Sequence, residues 1–326
     1  TKRVGPFTIT VTNGTSDYLS CEVIISEDGK GAWLGQPHLI KNLEKTFWED
    51  VKDLPVYKTP GTPNVGLRRA NTESPGVDSG EHAKYRSGVG MLLYLVKHSR
   101  IDISNPVREL SKMLDKPTLA AVKEMKQVIK FVLDTRGYGL KIFPSDMSNS
   151  HWKITVYTDS DWAGDKDNRR SVSGFVLYLM GVPIMWRSRQ LTGVSLSSSE
   201  AEYIALSEAA KEIKFMYQLM TTMGLKVATP ITVYVDNVGA MFMAENVSTS
   251  QRTRHIDIRW AYVREFLENK FLKIVFVKSE ENLSDGMTKN TSSDVYERHT
   301  PNYVIDKEDF LKSTSARTET GRVSRE

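Results

Sequence analysis

The sequence predicts an α/β fold, in which a mixed five-stranded β-sheet flanked by helices is preceded by a mainly helical segment. Residues 151–290 alternate between short runs of β-branched residues and longer amphipathic stretches, which is typical of a sheet packed between helices. Residues 85–133 instead carry apolar residues at helical spacing. The chain has 326 residues, of which 40% are hydrophobic and 26% charged, so its composition is that of a globular protein.

The predicted elements follow one another along the chain. A short apolar run at 19–25 and a helix at 37–44 come first, and a Pro- and Gly-rich connection over 55–80 follows them. Further helices are predicted from the spacing of apolar residues at 85–97, 106–114, 118–133, 198–220, 238–244, 255–269 and 283–289. Strands are predicted from β-branched and aromatic runs at 152–159, 173–180, 182–187, 231–236 and 272–277.

Composition divides the chain into four segments. The formal net charge is +4, and its excess of basic residues lies in 61–150, where phosphate contacts are therefore expected. Residues 1–60 are too few for a domain, 151–290 hold the predicted sheet, and 291–326 form a polar tail that we expect to be partly disordered.

The cysteine count and the apolar runs exclude several classes of protein. Cys21 is the single cysteine, which rules out an intrachain disulfide and a multi-cysteine zinc site and favours a reducing, intracellular compartment. The longest apolar runs are shorter than the ~20 residues of a membrane helix, so no membrane span is expected. The chain begins at Thr1 without a signal-like segment, so we expect a processed product or a fragment.

Two predicted strands end in a carboxylate. Asp159 closes the run 154–158, and Asp236 closes the run 231–235. If these strands are adjacent and parallel, both side chains lie at the carboxyl edge of the sheet, where ligands bind in open α/β folds. Taken singly, each Asp could instead cap a helix or a turn.

A third carboxylate lies on the helix that begins near residue 198. Ser197 as N-cap with Glu200 at the third helical position fits a capping box and leaves Glu202 on the apolar face that packs on the sheet. A buried charge there is costly unless it is paired or binds a metal. In the alternative register Ser199 is the cap, and Glu202 has the structural role.

Asp285 is the fourth carboxylate and lies at the start of the last short helix. Alone, it could be an ordinary acidic residue at a helix N-terminus. Three or four carboxylates without His or Cys form a hard-oxygen site suited to Mg²⁺ or Mn²⁺ and unsuited to zinc. Two such ions support phosphodiester hydrolysis.

A row of lysines lies in the basic segment. Lys123, Lys126 and Lys130 share one face of the predicted helix 118–133. They could keep this helix soluble, or they could contact phosphates.

The motifs together resemble the C-terminal part of copia-type LTR retrotransposon polyproteins, which comprises the end of the reverse transcriptase, a connection segment and a ribonuclease H domain. Similarity extends over about residues 15–290. The motifs that carry it stand in the order of that family at 156–164, 169–174, 197–203, 235–237, 254–258 and 282–285. Upstream, residues 18–47 resemble the end of the reverse transcriptase, so the resemblance assigns segment 1–60 to that end. Residues 85–118 resemble the connection segment.

The resemblance implies a ribonuclease H-like fold and hydrolysis of the RNA strand of RNA–DNA hybrids by two Mg²⁺ ions, for which Mn²⁺ could substitute. By similarity, Asp159 bridges both ions, Asp285 completes the site of the ion that activates water, and Glu202 and Asp236 hold the other ion. Arg169 and Arg170, in the motif at 169–174, are expected to bind nucleic acid together with the three lysines. The upstream reverse transcriptase palm is the expected partner, in a virus-like particle in the cytoplasm or in the nucleus.

The sequence departs from the family at two places that affect function. Residues 277–281 hold no histidine before the last Asp, which predicts slow turnover. The helix after His255 differs from that of relatives in residues expected at its surface. A Tyr-x-Asp-Asp motif is missing from the sequence, so no polymerase activity is expected.

Two alternatives to an active ribonuclease H stay open. One is a catalytically silent remnant that only binds nucleic acid or partner chains. The other is a transposase or integrase nuclease, which would place a final Glu on a late helix.

Overall fold

The computed structural model describes residues 20–69, 76–145, 151–245 and 254–314, with three short strands before residue 20; side chains are described for 20–69, 76–145, 151–244, 259 and 261–314. The strands are β1 (Lys2–Val4), β2 (Phe7–Ile9), β3 (Ser16–Tyr18), β4 (Cys21–Ile25), β5 (Ala32–Gly35), β6 (Tyr138–Ile142), β7 (Ile154–Asp161), β8 (Val172–Leu179), β9 (Val182–Gln190), β10 (Ile231–Val235), β11 (Leu272–Phe276) and β12 (Val304–Asp306). The α-helices are α1 (Pro37–Val51), α2 (Ser79–His98), α3 (Ser104–Ser111), α4 (Leu119–Asp134), α5 (Ser198–Thr222), α6 (Val238–Glu245), α7 (Arg254–Glu268), α8 (Asp285–Thr288) and α9 (Ser293–His299).

The mixed sheet predicted for the second half of the chain is confirmed. Its strand order is β11-β10-β7-β8-β9, in which β10 is parallel to β7 and to β11, and β8 is antiparallel to β7 and to β9. Successive residues of a strand face opposite sides of a sheet. Phe175 and Leu177 pack with residues of α5 and α7, whereas Val176 and Tyr178 pack on the other side. This alternation fixes which face of the sheet the helices cover.

The helical segment that precedes this sheet is also confirmed. Helices α1 to α4 enclose a core of their own, in which Phe47, Tyr85, Leu92 and Ile129 are almost fully buried. Thr118 accepts a hydrogen bond from the backbone N–H of Ala121 and caps α4. Val122, Met125 and Ile129 of this helix belong to the same buried core as residues of α1 and α2.

A second five-stranded sheet was not predicted from the sequence. It is antiparallel, with the order β12-β6-β5-β4-β3, and so joins residues near the start of the chain, β6 after α4, and β12 near the end. Its strands have three to five residues, which is too short for periodicity to distinguish a strand from a loop.

Part of the segment expected to be a polar, partly disordered tail, residues 291–314, has regular secondary structure. These residues form α9 and β12, and 307–314 are helical. Tyr303 and Phe310 are buried, and the Tyr296 hydroxyl donates a hydrogen bond of 2.9 Å to Asp102. The segment is polar overall, but Tyr303, Val304 and Phe310 are buried, while Leu311 is exposed. The four predicted segment boundaries stay predictions.

The two parts of the chain pack on one another. A buried cluster contains Leu140 of β6, Tyr178 of β8, Met287 of α8 and Tyr303, and so lies between the two sheets. The Trp186 indole donates a hydrogen bond of 2.9 Å to the carbonyl of Val96 in α2. None of the helices in the described ranges has the length and apolar character needed to cross a membrane.

A candidate active site of buried carboxylates

Two of the predicted carboxylates lie side by side at the edge of the mixed sheet. The parallel register pairs Thr155 with Thr232 and Tyr157 with Tyr234, and the same register continues to Asp159 and Asp236. Strand β7 extends two residues beyond Asp159, which pairs with Gly174 of β8. The adjacent, parallel arrangement expected from the sequence is therefore present.

Asp285 reaches this edge because the loop before α8 is fixed to β7. The side-chain amide of Asn282 donates a hydrogen bond of 2.9 Å to the Thr158 carbonyl, and the Ser284 hydroxyl donates one of 2.7 Å to Asn282 Oδ1. On the next turn, the Thr288 hydroxyl donates to Asp159 Oδ2. Helix α8 is thereby held against the strand that carries Asp159.

Gly174 makes this close approach possible. A Cβ atom at this position would lie 2.5 Å from the Cβ of Met287 and 2.8 Å from Cγ2 of Thr288. Any larger residue would therefore push α8 away from β8. The glycine controls how closely the helix that carries Asp285 approaches β8.

These placements form a cluster that could hold a metal ion. One carboxylate oxygen from each of Asp159, Asp236 and Asp285 lies within 4.8 Å of the other two. The donors are all carboxylate oxygens, which suit a hard divalent cation such as Mg²⁺ or Mn²⁺. Asp159 and Asp285 are buried, so the cluster concentrates negative charge where water screens it poorly.

Glu202 lies beside this cluster on α5. Ser197 accepts a hydrogen bond of 3.1 Å from the backbone N–H of Glu200, and Glu200 accepts one of 2.8 Å from that of Leu196. Ser197 is therefore the N-cap, and the alternative register with Ser199 as cap is wrong. Glu202 is 5% exposed, and its Oε1 accepts a hydrogen bond of 3.1 Å from the backbone N–H of Ser160. Its Oε2 is buried and has no hydrogen-bond partner among the residues that the structure describes.

Burial and mutual repulsion raise the pKa values of these acids. Burial, followed by the charges of Asp285 and Asp236, raises the pKa of Asp159 to about 7, although Lys289 and the Thr288 hydroxyl act in the opposite direction. Burial and the charges of Asp159 and Asp236 raise the pKa of Glu202 to about 9. Burial also raises the pKa of Asp285. A bound cation would therefore stabilise this site, because it would neutralise buried carboxylates that repel one another.

Sequence reasoning missed several residues that shape the site. Lys289 Nζ lies 2.9 Å from Asp285 Oδ1, and the i, i+4 spacing of these two residues could have indicated the ion pair.

A histidine does lie against the loop before Asp285, although it comes from α9. The Nε2 of His299 is 2.9 Å from the Glu280 carbonyl, and burial lowers the pKa of His299. No local pattern could have indicated this contact, because the two residues meet only through the tertiary fold.

The predicted lysine row does not form one free face. Lys130 is 7% exposed and its Nζ is 2.5 Å from Asp134, while Lys126 Nζ is 3.4 Å from Asp50. Intramolecular acids pair with both ammonium groups, and the assignment of Lys126 and Lys130 to phosphate binding stays a prediction. Lys123 is exposed, and its role stays a prediction.

The predicted arginines lie on the loop between β7 and β8. Arg169 and Arg170 are both exposed. Arg169 has a left-handed backbone with φ of +55°, in a turn where Asp165 Oδ1 accepts hydrogen bonds from the backbone N–H groups of Asp167 and Asn168. The side chains of 254–258, another motif, lie outside the described residues.

Comparison with known proteins identifies similar sequences. The chain is 33% identical over 214 residues to the retrovirus-related Pol polyprotein from transposon RE1 of Arabidopsis thaliana, which covers 66% of this chain and 14% of that protein. It is 30% identical over 273 residues to the corresponding polyprotein from transposon TNT 1-94 of Nicotiana tabacum, covering 83% of this chain and 20% of that protein. The chain thus spans a fifth or less of the length of these relatives.

Among solved structures, LC11-RNase H1 in complex with an RNA/DNA hybrid is 18% identical, with a TM-score of 0.33, and the match covers 44% of this chain and 97% of that protein. Models of known protein families give no match to the sequence.

Proposed function

The chain belongs to the retrovirus-related Pol polyproteins of copia-type transposons, and we propose that it supplies ribonuclease H activity, the hydrolysis of the RNA strand of RNA–DNA hybrids. The observation that carries this proposal is the cluster of Asp159, Asp236 and Asp285, with Glu202 beside it. These side chains come from four separate elements, and their types and order are those that the resemblance implies.

The donor set fits two Mg²⁺ ions. Bound divalent ions would activate water and stabilise the leaving oxygen of the phosphodiester. The three aspartates would hold the ions, and Glu202 would complete the site with the oxygen that lacks a hydrogen-bond partner. Asn282 and Thr288 position Asp285 and Asp159, so the carboxylates are fixed before the ions bind.

Lys289 gives the site a cation of its own. Its ammonium group pairs with Asp285 and favours the charged form of Asp159. In the proposed enzyme this charge offsets part of the effect of burial on Asp159, so that less free energy is needed to ionise it when the ions bind. The expected substrate is an RNA–DNA hybrid, which the polymerase palm upstream in a full polyprotein would supply.

The test is cleavage of an end-labelled RNA–DNA hybrid in Mg²⁺ by the wild-type chain, by Asp159→Asn and by Asp236→Asn. We expect internal cuts in the RNA strand by the wild type alone, with 3′-hydroxyl and 5′-phosphate ends. Either substitution removes a proposed ligand and should lower the rate by at least about a hundredfold, which is the cost of losing about 3 kcal/mol of transition-state stabilisation.

Asp309→Asn is the matched control, because its side chain is 68% exposed and lies on the helix 307–314. It should cleave at the wild-type rate. Equal cleavage by all four proteins would indicate a contaminating nuclease. Hybrid binding without cleavage would instead favour the silent remnant.

A further inference from the structure

A cavity of about 310 Å³ lies next to the carboxylate cluster, between the helical segment and the mixed sheet. Its wall includes Asn105 and Arg108 of α3, Lys166 and Arg169 of the β7–β8 loop, and Lys289 after α8. Thr288 also lines it, and the Thr288 hydroxyl donates to Asp159. The cavity is therefore a direct neighbour of the proposed catalytic residues.

Arg108, which lines this cavity, has a guanidinium nitrogen without a hydrogen-bond partner in the part of the chain that the structure describes. Its side chain is 10% exposed. Nη2 donates to Asn105 Oδ1 at 2.7 Å and to Glu109 Oε1 at 2.5 Å, while Nη1 is the buried nitrogen that lacks a partner there. A buried guanidinium N–H without an acceptor costs free energy, so an acceptor such as water or an anion would stabilise it.

The charge of the wall favours an anion. Among the described residues, four cations line the cavity, Arg108, Lys166, Arg169 and Lys289, against the two acids Glu109 and Asp161. Arg108 pairs with Glu109 and Lys289 with Asp285, whereas Lys166 and Arg169 are exposed. Glu109 is already neutralised, because Lys112 Nζ lies 2.9 Å from its Oε2 and Arg108 pairs with its Oε1.

The two walls of the cavity are fixed to each other. Lys112 Nζ lies 2.9 Å from Asp165 Oδ2, which also accepts a hydrogen bond of 2.6 Å from Gln190. The Asn105 amide donates a hydrogen bond of 2.8 Å to Asn290 Oδ1. Arg108 is thus held by its own neighbours while the loop that carries Lys166 and Arg169 is held opposite to it. Such a preformed arrangement binds a ligand with little loss of conformational entropy.

We propose that this cavity is a phosphate subsite, in which Arg108 and Lys166 bind one backbone phosphodiester of the nucleic acid adjacent to the one that is cleaved. Arginine is suited to this role because its planar guanidinium donates several hydrogen bonds to phosphate oxygens. The inference rests on the proposed function for the identity of the ligand, since the phosphodiester belongs to either the RNA or the DNA strand of the hybrid. It gives the helical segment a direct part in placing the substrate.

The test measures binding of a fluorescent RNA–DNA hybrid in EDTA at low salt, where no ion supports cleavage. Arg108→Met and Lys166→Met should each raise the Kd about tenfold, as expected for loss of a charge-assisted hydrogen bond. Each should also reduce the slope of log K against log salt concentration by about 1. Lys312→Met is the matched control, because that side chain is 74% exposed on the helix 307–314, and it should bind like the wild type.

Neutral methylphosphonate linkages then locate the contact. They are introduced one at a time along the RNA strand in one set of hybrids and along the DNA strand in the other. At one linkage, the substitution should weaken wild-type binding more than it weakens the binding of Arg108→Met or Lys166→Met, because each variant has already lost one of the two contacts to that phosphate. The set that contains this linkage identifies the strand.

The proposed subsite would be overturned if the loss of affinity from each variant and the loss from each methylphosphonate were additive at every linkage. It would also be overturned if both variants bound the hybrid like the wild type. If Arg108→Met does not fold, as judged by circular dichroism, the exposed Lys166→Met decides alone. A failure of the proposed function can be distinguished from a failure of the subsite. If the chain shows the methylphosphonate effect but does not cleave the hybrid in Mg²⁺, the phosphate subsite is supported and the nuclease activity is contradicted.

Discussion

At the scale of single residues, the site concentrates acids that the fold itself disfavours in their charged form. Asp159 and Glu202 have raised pKa values chiefly because burial removes water from their carboxylates. Lys289 offsets part of this cost through its ion pair with Asp285. A divalent cation would offset much more, so metal binding and proton release are expected to be coupled.

This coupling predicts how stability depends on pH. In EDTA, the free energy of unfolding should fall as the pH rises from about 4 to about 9. Within that window the folded chain keeps protons that the unfolded chain releases, since the pKa of Asp159 is about 7 and that of Glu202 about 9, against 3.8 and 4.5 for the free side chains. Below this window the groups are protonated in both states, and their contribution no longer changes.

Thermal unfolding at about pH 5.5 and pH 8.5, with EDTA or with Mg²⁺, measures this effect. The loss of Tm between the two values should be smaller in Mg²⁺ and smaller in Asp159→Asn, which cannot titrate at this position. The exposed Asp309→Asn should keep the wild-type pH dependence. The same pH dependence in wild type and in Asp159→Asn would show that the buried carboxyl does not control stability.

At the scale of elements, the position of α8 decides whether the cluster assembles. This helix has only four residues, so its placement depends on contacts with β7 and β8 rather than on its own helical stability. The hydrogen bond from Asn282 to Thr158 holds its start, and the packing of Met287 on Gly174 holds its middle.

Gly174→Ala should therefore impair the site more than the fold. The new methyl group would lie 2.5 Å from the Met287 side chain, so α8 must move away, and Asp285 and Thr288 move with it. We expect hybrid cleavage to fall by at least about tenfold, because displacements of about 1 Å in an active site are that costly. Overpacking should lower the free energy of unfolding by about 1–3 kcal/mol.

Gly193→Ala is the matched control, since a Cβ atom there would meet open space. It should retain both activity and stability. The measurements are the cleavage rate and the Mg²⁺ concentration that gives half of the maximal rate. An equal effect of the two substitutions, or no effect of Gly174→Ala, would show that α8 does not depend on the glycine.

At the scale of the whole molecule, the sequence was informative where the pattern is local. The five strands of the mixed sheet and the helices from α2 to α8 were predictable, because most of them bury a face with a clear period, whereas α9 was not predicted. Asp159 and Asp236 were predictable as neighbours because strand ends converge at one edge of a sheet, whereas Asp285, at the start of a short helix, was placed with them by the family resemblance.

Long-range contacts were not predictable. Strand β6 is placed in a sheet only by β5 and β12, which lie about a hundred residues or more away in either direction. The pairing of Lys130 with Asp134 was visible as i, i+4 spacing, but its burial depends on how α4 packs. Arg108 gave no sequence signal for the same reason, since Lys166, Arg169 and Lys289 line the same cavity from other segments.

The segment 291–314 joins the two halves of the molecule, and this predicts the effect of its removal. Tyr303 and Val304 belong to the cluster between the sheets, and Tyr296 hydrogen-bonds to Asp102, which also pairs with the buried Arg100. A chain that ends at residue 290 loses all of these contacts, whereas a chain that ends at residue 314 keeps every described residue.

Truncation after 290 should lower the Tm by about 10 °C or more. Each large apolar side chain that leaves the core costs about 1.5–3 kcal/mol, and each kcal/mol corresponds to about 2–4 °C in a chain of this size. Cleavage should also fall, because the Tyr303 hydroxyl donates to the Leu283 carbonyl in the loop that positions Asp285. Truncation after 314 should change neither quantity. A chain ending at 290 that unfolds at the wild-type temperature would show that the two halves are stable independently, and that this segment only lies on their surface.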